Sequence, residues 1–151
     1  MTRVVVPVRY PLSTHSKRTL SEAVRIAGER DASLTVLHVD LYQNGTSVSR
    51  TDLKRAVERE FGPLEHARYV VRRGFLVEET ILEEVAGANA DIVVIGSKQA
   101  GRWRRTLQRL LADPDIDEYL REGLDSTVIT VCAGAGGAVS LLAGRSCPVA
   151  G

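Results

Sequence analysis

The sequence is short of cysteine, aromatic residues, charge of one sign and long apolar runs, and each shortage removes a class of function. Its 151 residues hold two cysteines, Cys132 and Cys147, with neither Cys-x-x-Cys spacing nor a dense pattern. Free thiols in a reducing cytoplasm are therefore expected rather than a disulfide framework. Twenty Lys and Arg stand against nineteen Asp and Glu, a net charge of +1. That balance gives no whole-molecule field to draw in nucleic acid or an acidic substrate. The opening apolar run, Val4 to Val8, is too short for the core of a signal peptide or a membrane span. Ser126 to Gly144 is uncharged, but Ser, Thr and Gly dilute it, so a strand followed by a loose tail is expected there instead of a spanning helix.

Catalytic and metal signatures are missing as well. There is no Gly-x-Ser-x-Gly elbow and no Gly-x4-Gly-Lys-Ser/Thr loop, each of which places a nucleophile or a phosphate cradle at a strand end. His15, His38 and His66 are scattered, without the i, i+4 spacing of a zinc helix. His38 reads as a structural histidine within a strand. Asp113, Asp115 and Asp117 alternate but lack a turn glycine and a closing Glu, so they read as capping residues rather than calcium ligands. The pairs Glu78-Glu79 and Glu83-Glu84 read as a solvent-facing helix surface. No catalytic residue and no metal ligand is assigned.

What is present is an alternation of strands and helices. Val4 to Val8 is a continuous apolar run, the mark of a strand covered on both faces. Leu20, Ala23, Val24 and Ala27 recur at i, i+3, i+4 and i+7, an amphipathic helix. Leu34 to Val39 is a second strand, Asn44-Gly45 a turn, and Ser49 with Asp52 caps a helix over about Arg50 to Phe61 that Gly62-Pro63 ends. Tyr69 to Val71 is a short strand broken by Gly74, and Val77, Ile81 and Val85 mark a third helix. Asp91 to Gly96 is the strongest strand, followed by a loop and a helix around Trp103 to Leu111. Asp113-Pro114 predicts a further short helix to about Arg121, and Val128 to Val131 a fifth strand.

Strands joined by helical crossovers are parallel, so the expected fold is a doubly wound five-stranded parallel sheet with helices on both faces. The domain spans residues 1–132, with 133–151 a Gly/Ala-rich tail that buries too little to offset ordering entropy.

Over about Thr2 to Val131 the chain resembles the universal stress protein family. The resemblance rests on Val4-Val5-Val6-Pro7-Val8, on Leu34-Thr35-Val36-Leu37-His38-Val39, on Gly74 followed by Glu78, Glu79 and Ile81, and on Asp91 to Ser97. It implies the strand order 3-2-1-4-5, a small cytoplasmic homodimer joined through the last strand around Val128 to Val131, and a role in stress survival. It also implies a nucleotide crevice where the strand order reverses, around Val8, Arg9, Ile95, Gly96 and Ser97.

Against that family the phosphate motif is degraded. ATP-binding members carry Gly-x2-Gly-x9-Gly-Ser/Thr after the fourth strand, whose glycines let main-chain N–H groups approach phosphates. Here the first position is Gly96, the second is Gln99, and the last pair falls on Arg109 and Leu110; the acidic residue usual after the first strand is Arg9. The chain therefore reads as a regulatory binding protein that is not a conventional ATP binder. An alternative keeps a nucleotide or anion, with weak ATPase activity, on a phosphate site rebuilt from Arg9, Gln99 and Arg102. Lys98, Arg102, Arg104, Arg105 and Arg109 form the one local charge imbalance, read either as that anion site or as a solvated face paired with Asp113, Asp115, Asp117 or Glu118. Trp103 reads as a core or dimer anchor, and a further alternative makes it and the basic helix a partner-docking surface.

Overall fold

The computed structural model describes residues 2–45, 47–115, 127–131 and 139–141. Strand β1 (Arg3–Pro7) is followed by α1 (Thr14–Glu29), β2 (Ser33–Leu41), a 3-10 turn (Tyr42–Asn44), α2 (Arg50–Phe61), β3 (Ala67–Gly74), α3 (Val77–Gly87), β4 (Ile92–Gly96), α4 (Ser97–Ala112), β5 (Thr127–Val131) and β6 (Val139–Leu141). The sheet order is β3-β2-β1-β4-β5-β6. β1 lies parallel to β2 on one side and to β4 on the other, with Val5 opposite both Thr35 and Val93.

The run of valines in β1 is explained by cover on both faces. Val4 and Val6 point into a core with Leu20, Ala23 and Ile26 of α1 and Leu53 and Val57 of α2. Val5 points the other way, to Ile81, Leu82 and Val85 of α3 and to Trp103 of α4. The period-2 alternation of a strand thus feeds two apolar layers, and each fully buried aliphatic side chain contributes roughly 1.5–3 kcal/mol. α1 begins at Ser13, whose side chain accepts from Ser16 N–H. α2 has the capping box read from Ser49 and Asp52, with both reciprocal hydrogen bonds present.

Several expectations are corrected. The sheet is six-stranded and mixed, not a five-stranded parallel one, because β6 pairs antiparallel with β5, Val139 opposite Val131. That strand falls inside the stretch expected to be a loose tail. The third strand is eight residues long and runs in register with β2 from Leu34↔Ala67 to Leu41↔Gly74. Its arginines Arg68, Arg72 and Arg73 are exposed or nearly so and hid it from a hydrophobicity reading, although charged side chains are normal on an edge strand.

No loop separates β4 from the next helix. α4 starts at Ser97, directly after Gly96, because Lys98, Gln99, Ala100 and Arg102 are good helix formers and carry the helix through Gly101. The helix expected after Pro114, and both cysteines, lie outside the described residues. Among the described residues no helix is long and apolar enough to cross a membrane.

Candidate functional site

The chain steps from β1 to β2 and β3 on one side of the sheet, then returns to β4 on the other. The carboxyl ends of β1 and β4 therefore diverge, and a crevice opens where the crossovers part. Its volume is about 380 Å³, and its walls come from both helical layers: His15, Ser16 and Thr19 of α1, Glu78 and Ile81 of α3, Gln99 and Arg102 of α4. Val8, Arg9, His38 and Gly96 form the floor at the strand ends.

Of the residues singled out from the sequence, Val8, Arg9, Gly96, Gln99 and Arg102 line this crevice. Ile95 does not: it is fully buried in the layer under α3 and α4. Ser97 does not line it either and opens the first turn of α4. Gly96 has an ordinary φ of -74°, so its backbone does not demand glycine. A Cβ there would meet only Thr19 Oγ1 at 3.5 Å.

The turn from β1 into α1 is tied down by hydroxyls. Arg9 N–H donates to Ser16 Oγ at 2.9 Å, and Ser13 and Ser16 hydroxyls lie 3.2 Å apart. Thr19 Oγ1 donates back to the His15 carbonyl at 2.9 Å. The third hydroxyl is thus fixed to its own helix, and the arginine backbone is held at the crevice rim. None of these three hydroxyl residues was singled out from the sequence.

α4 begins beside the crevice, which its cap Gly96 and first-turn Gln99 line. Its cap, Gly96, supplies no side-chain hydrogen bond, and its first turn holds no acidic residue. The first main-chain N–H groups are therefore left for a ligand, with the positive end of the helix dipole behind them. Arg102 lies one turn further on, its Nη1 4.0 Å from Glu78 Oε1. That pair is long and half exposed on the arginine side, so it is weak and readily exchanged for an anion.

Two arginines on the basic face of α4 pair with α3, while Asp117 and Glu118, weighed as partners, lie outside the described residues. Arg102 faces Glu78, and Arg109 Nη2 donates to Glu79 Oε1. Glu78 and Glu79 are consequently half-buried rather than a free solvent surface. Trp103 is only 4% exposed and sits in the layer with Val85 and Val93. It is a core residue, and an indole so placed cannot serve as the docking anchor weighed above. Its Nε1 has no hydrogen-bond partner among the described residues.

His38 was read as structural, and half of that reading stands. Its Nδ1 lies 3.0 Å from the Val8 carbonyl, joining β2 to the end of β1. The same ring lines the crevice. Its position after an apolar strand run, level with Val8 on the neighbouring strand, was the only signal available in the sequence.

The sequence profile described as the universal stress protein family matches residues 1–131. No curated protein sequence matches the chain. Solved structures resemble it in fold. A universal stress protein crystallised in complex with cAMP aligns with a TM-score of 0.54 at 18% identity, covering 84% of this chain and 95% of that one. UspA from Lactobacillus plantarum gives 0.52 at 17% identity, over 85% of this chain and 96% of its own. A universal stress protein from Archaeoglobus fulgidus gives 0.51 at 17% identity, over 87% and 98%.

Proposed function

The chain belongs to the universal stress protein family, and from that premise we propose that it is a small regulatory protein that binds a phosphate-bearing nucleotide and acts by association rather than turnover. The observation that carries this reading is the start of α4 immediately after Gly96, which lines the crevice together with Gln99 and Arg102 of that helix. A helix N-terminus offers a few N–H groups at one point, whereas a glycine loop wraps many around an extended tail. Together with the side chains of Arg9, Gln99 and Arg102, that arrangement suits a single phosphate better than a triphosphate. The apolar wall of Val8, Val39, Val77 and Ile81 suits a base or sugar face. The fold neighbour crystallised with cAMP supports the ligand class.

Calorimetric titration with AMP, cAMP and ATP, with and without magnesium, tests the proposal. AMP or cAMP gives heat at micromolar concentration and ATP binds no more tightly. Arg102→Ala, which deletes one charge-assisted contact, weakens binding about tenfold. Silence with all three ligands up to millimolar concentration overturns it.

Family membership also supports a stress-related role in the cytoplasm. Self-association through the last strands is proposed with it, now at the β6 edge because β5 is paired on both sides, since a strand edge invites pairing with a second copy. Light scattering that shows only monomer at micromolar concentration removes that part.

A further inference from the structure

We propose that His38 determines ligand specificity in this crevice by accepting a hydrogen bond, through Nε2, from an amino or hydroxyl group of the ligand. The inference deepens the binding role proposed above and rests on it. His38 Nδ1 lies 3.0 Å from the Val8 carbonyl oxygen. A carbonyl only accepts, so Nδ1 carries the proton, and in the neutral ring Nε2 is left as an acceptor. His38 is 8% exposed and its ring lines the crevice. Nε2 makes no hydrogen bond with any described residue. The other groups around it are the Tyr10 ring, with centroids 6.1 Å apart, and, across the crevice, His15 of α1, Glu78 of α3, Arg9 after β1, and Gln99 and Arg102 of α4.

The chemistry of the crevice is therefore polarised. Arg102 and the α4 N-terminus supply donors at the end of β4, where an anion belongs, and Arg9 adds another at the end of β1. His38 supplies an acceptor at the end of β2. In the order β2-β1-β4 those strands are two spacings apart, roughly 10 Å. Such a separation suits the two ends of one nucleotide: phosphate at α4, and a polar base or sugar group at His38. A buried acceptor left unpaired rejects a ligand lacking the matching donor, which is how a polar site discriminates most sharply.

The test uses AMP and two analogues: purine riboside 5′-monophosphate, which lacks the amino group, and 2′,3′-dideoxy-AMP, which lacks the sugar hydroxyls. Titrations are run at pH 8. His38→Asn retains a donor near the Nδ1 position for Val8 and deletes the acceptor. The expected result is about tenfold weaker AMP binding by the variant at an unchanged melting temperature. One analogue shows a similar loss with the wild type and no further loss with the variant, and which analogue it is identifies the donor. Equal AMP affinity in wild type and variant overturns the inference, as does an analogue penalty that persists undiminished in the variant. Should His38→Asn fold poorly, the histidine ¹⁵N spectrum of the wild type decides. The Nε2 resonance moves with AMP and stays put with the matching analogue if the inference holds; an unmoved Nε2 with bound AMP overturns it. A wild type silent toward AMP and both analogues overturns the crevice reading itself, a result separable from the failure of His38 alone.

Discussion

The main-chain N–H of Arg9 donates to the hydroxyl of Ser16 at 2.9 Å, so the end of β1 and the first turn of α1 move as one piece. Ser16 is only 7% exposed, and its own N–H is held by Ser13 Oγ. The rim of the crevice is set by this pair of hydroxyls before any ligand arrives. Ser16→Ala strips the arginine N–H of its partner and is expected to cost about 1–2 kcal/mol in stability. It also lowers nucleotide affinity several-fold by freeing the Arg9 backbone. Urea unfolding and calorimetry on the same variant check both effects, and unchanged values for both contradict the role given to Ser16.

Gly74 ends β3 against the side chain of Thr80. A Cβ built on Gly74 would lie 2.2 Å from Thr80 Oγ1 and 3.3 Å from Thr80 Cβ. Thr80 cannot swing its hydroxyl away freely, because Oγ1 donates to the Leu76 carbonyl at 2.7 Å. Gly74→Ala is therefore expected to destabilise by about 1–3 kcal/mol. Gly28, inside α1 with open space at its Cβ position, is the contrast: Gly28→Ala is expected to stabilise by about 0.5–1 kcal/mol. Thermal melts of the two variants with opposite shifts are the predicted outcome.

Tyr69 is buried on the α2 side of the sheet and its hydroxyl has no partner among the described residues. Burial pushes the phenol above its ordinary value, and the nearby charge of Glu58 adds to the shift. A raised folded value means that the stability linked to the neutral phenol is complete below about pH 10 and is lost as pH rises beyond it. Tyr69→Phe removes an unsatisfied polar group, so stability at neutral pH stays equal or rises by up to about 1 kcal/mol. Its unfolding curve also declines less steeply above about pH 10. A clear loss at neutral pH would show that the hydroxyl has a partner.

At the start of α2 the Asp52 carboxyl is held below the ordinary carboxylate range, first by the Ser49 main-chain N–H and then by the Ser49 hydroxyl. A depressed folded value contributes stability above the unfolded value, about 3.9, that is lost as pH falls through the folded one. Denaturant unfolding between pH 2 and pH 7 is expected to show a shallower acid-side decline for Asp52→Ala than for the wild type. Parallel curves would mean that this capping box is not linked to protonation.

The strands and helices that bury one clear pattern were legible in the sequence. Val4 to Val8 announced a strand covered twice, and Ser49, Asp52 and Gly62 bracketed α2 correctly at Arg50–Phe61. The crevice was legible at Val8, Arg9, Gly96, Gln99 and Arg102 through the family resemblance, which implied the strand order and pointed to the phosphate-motif positions. What stayed hidden depended on contacts between distant residues. Arg102 and Arg109 find Glu78 and Glu79 on another helix, which no local charge pattern reveals. α4 begins six residues before Trp103, because helix-forming residues fill a stretch that Gly96 and Gly101 made look like a loop. The Gly/Ala composition near the C-terminus hid β6, a strand that exists through pairing with β5. His38 looked structural since a histidine in a strand shows its hydrogen bond to Val8 only once the strands are placed side by side.

The most direct measurement is an amide NMR titration of the ¹⁵N-labelled protein with AMP. Nucleotide binding by side chains and a helix terminus predicts saturable shifts at Arg9, Gly96, Ser97 and Gln99, with the helical signature of residues 97–102 retained. Absence of shifts at these amides, or their loss from the helix as a loop forms around the phosphate, would contradict it.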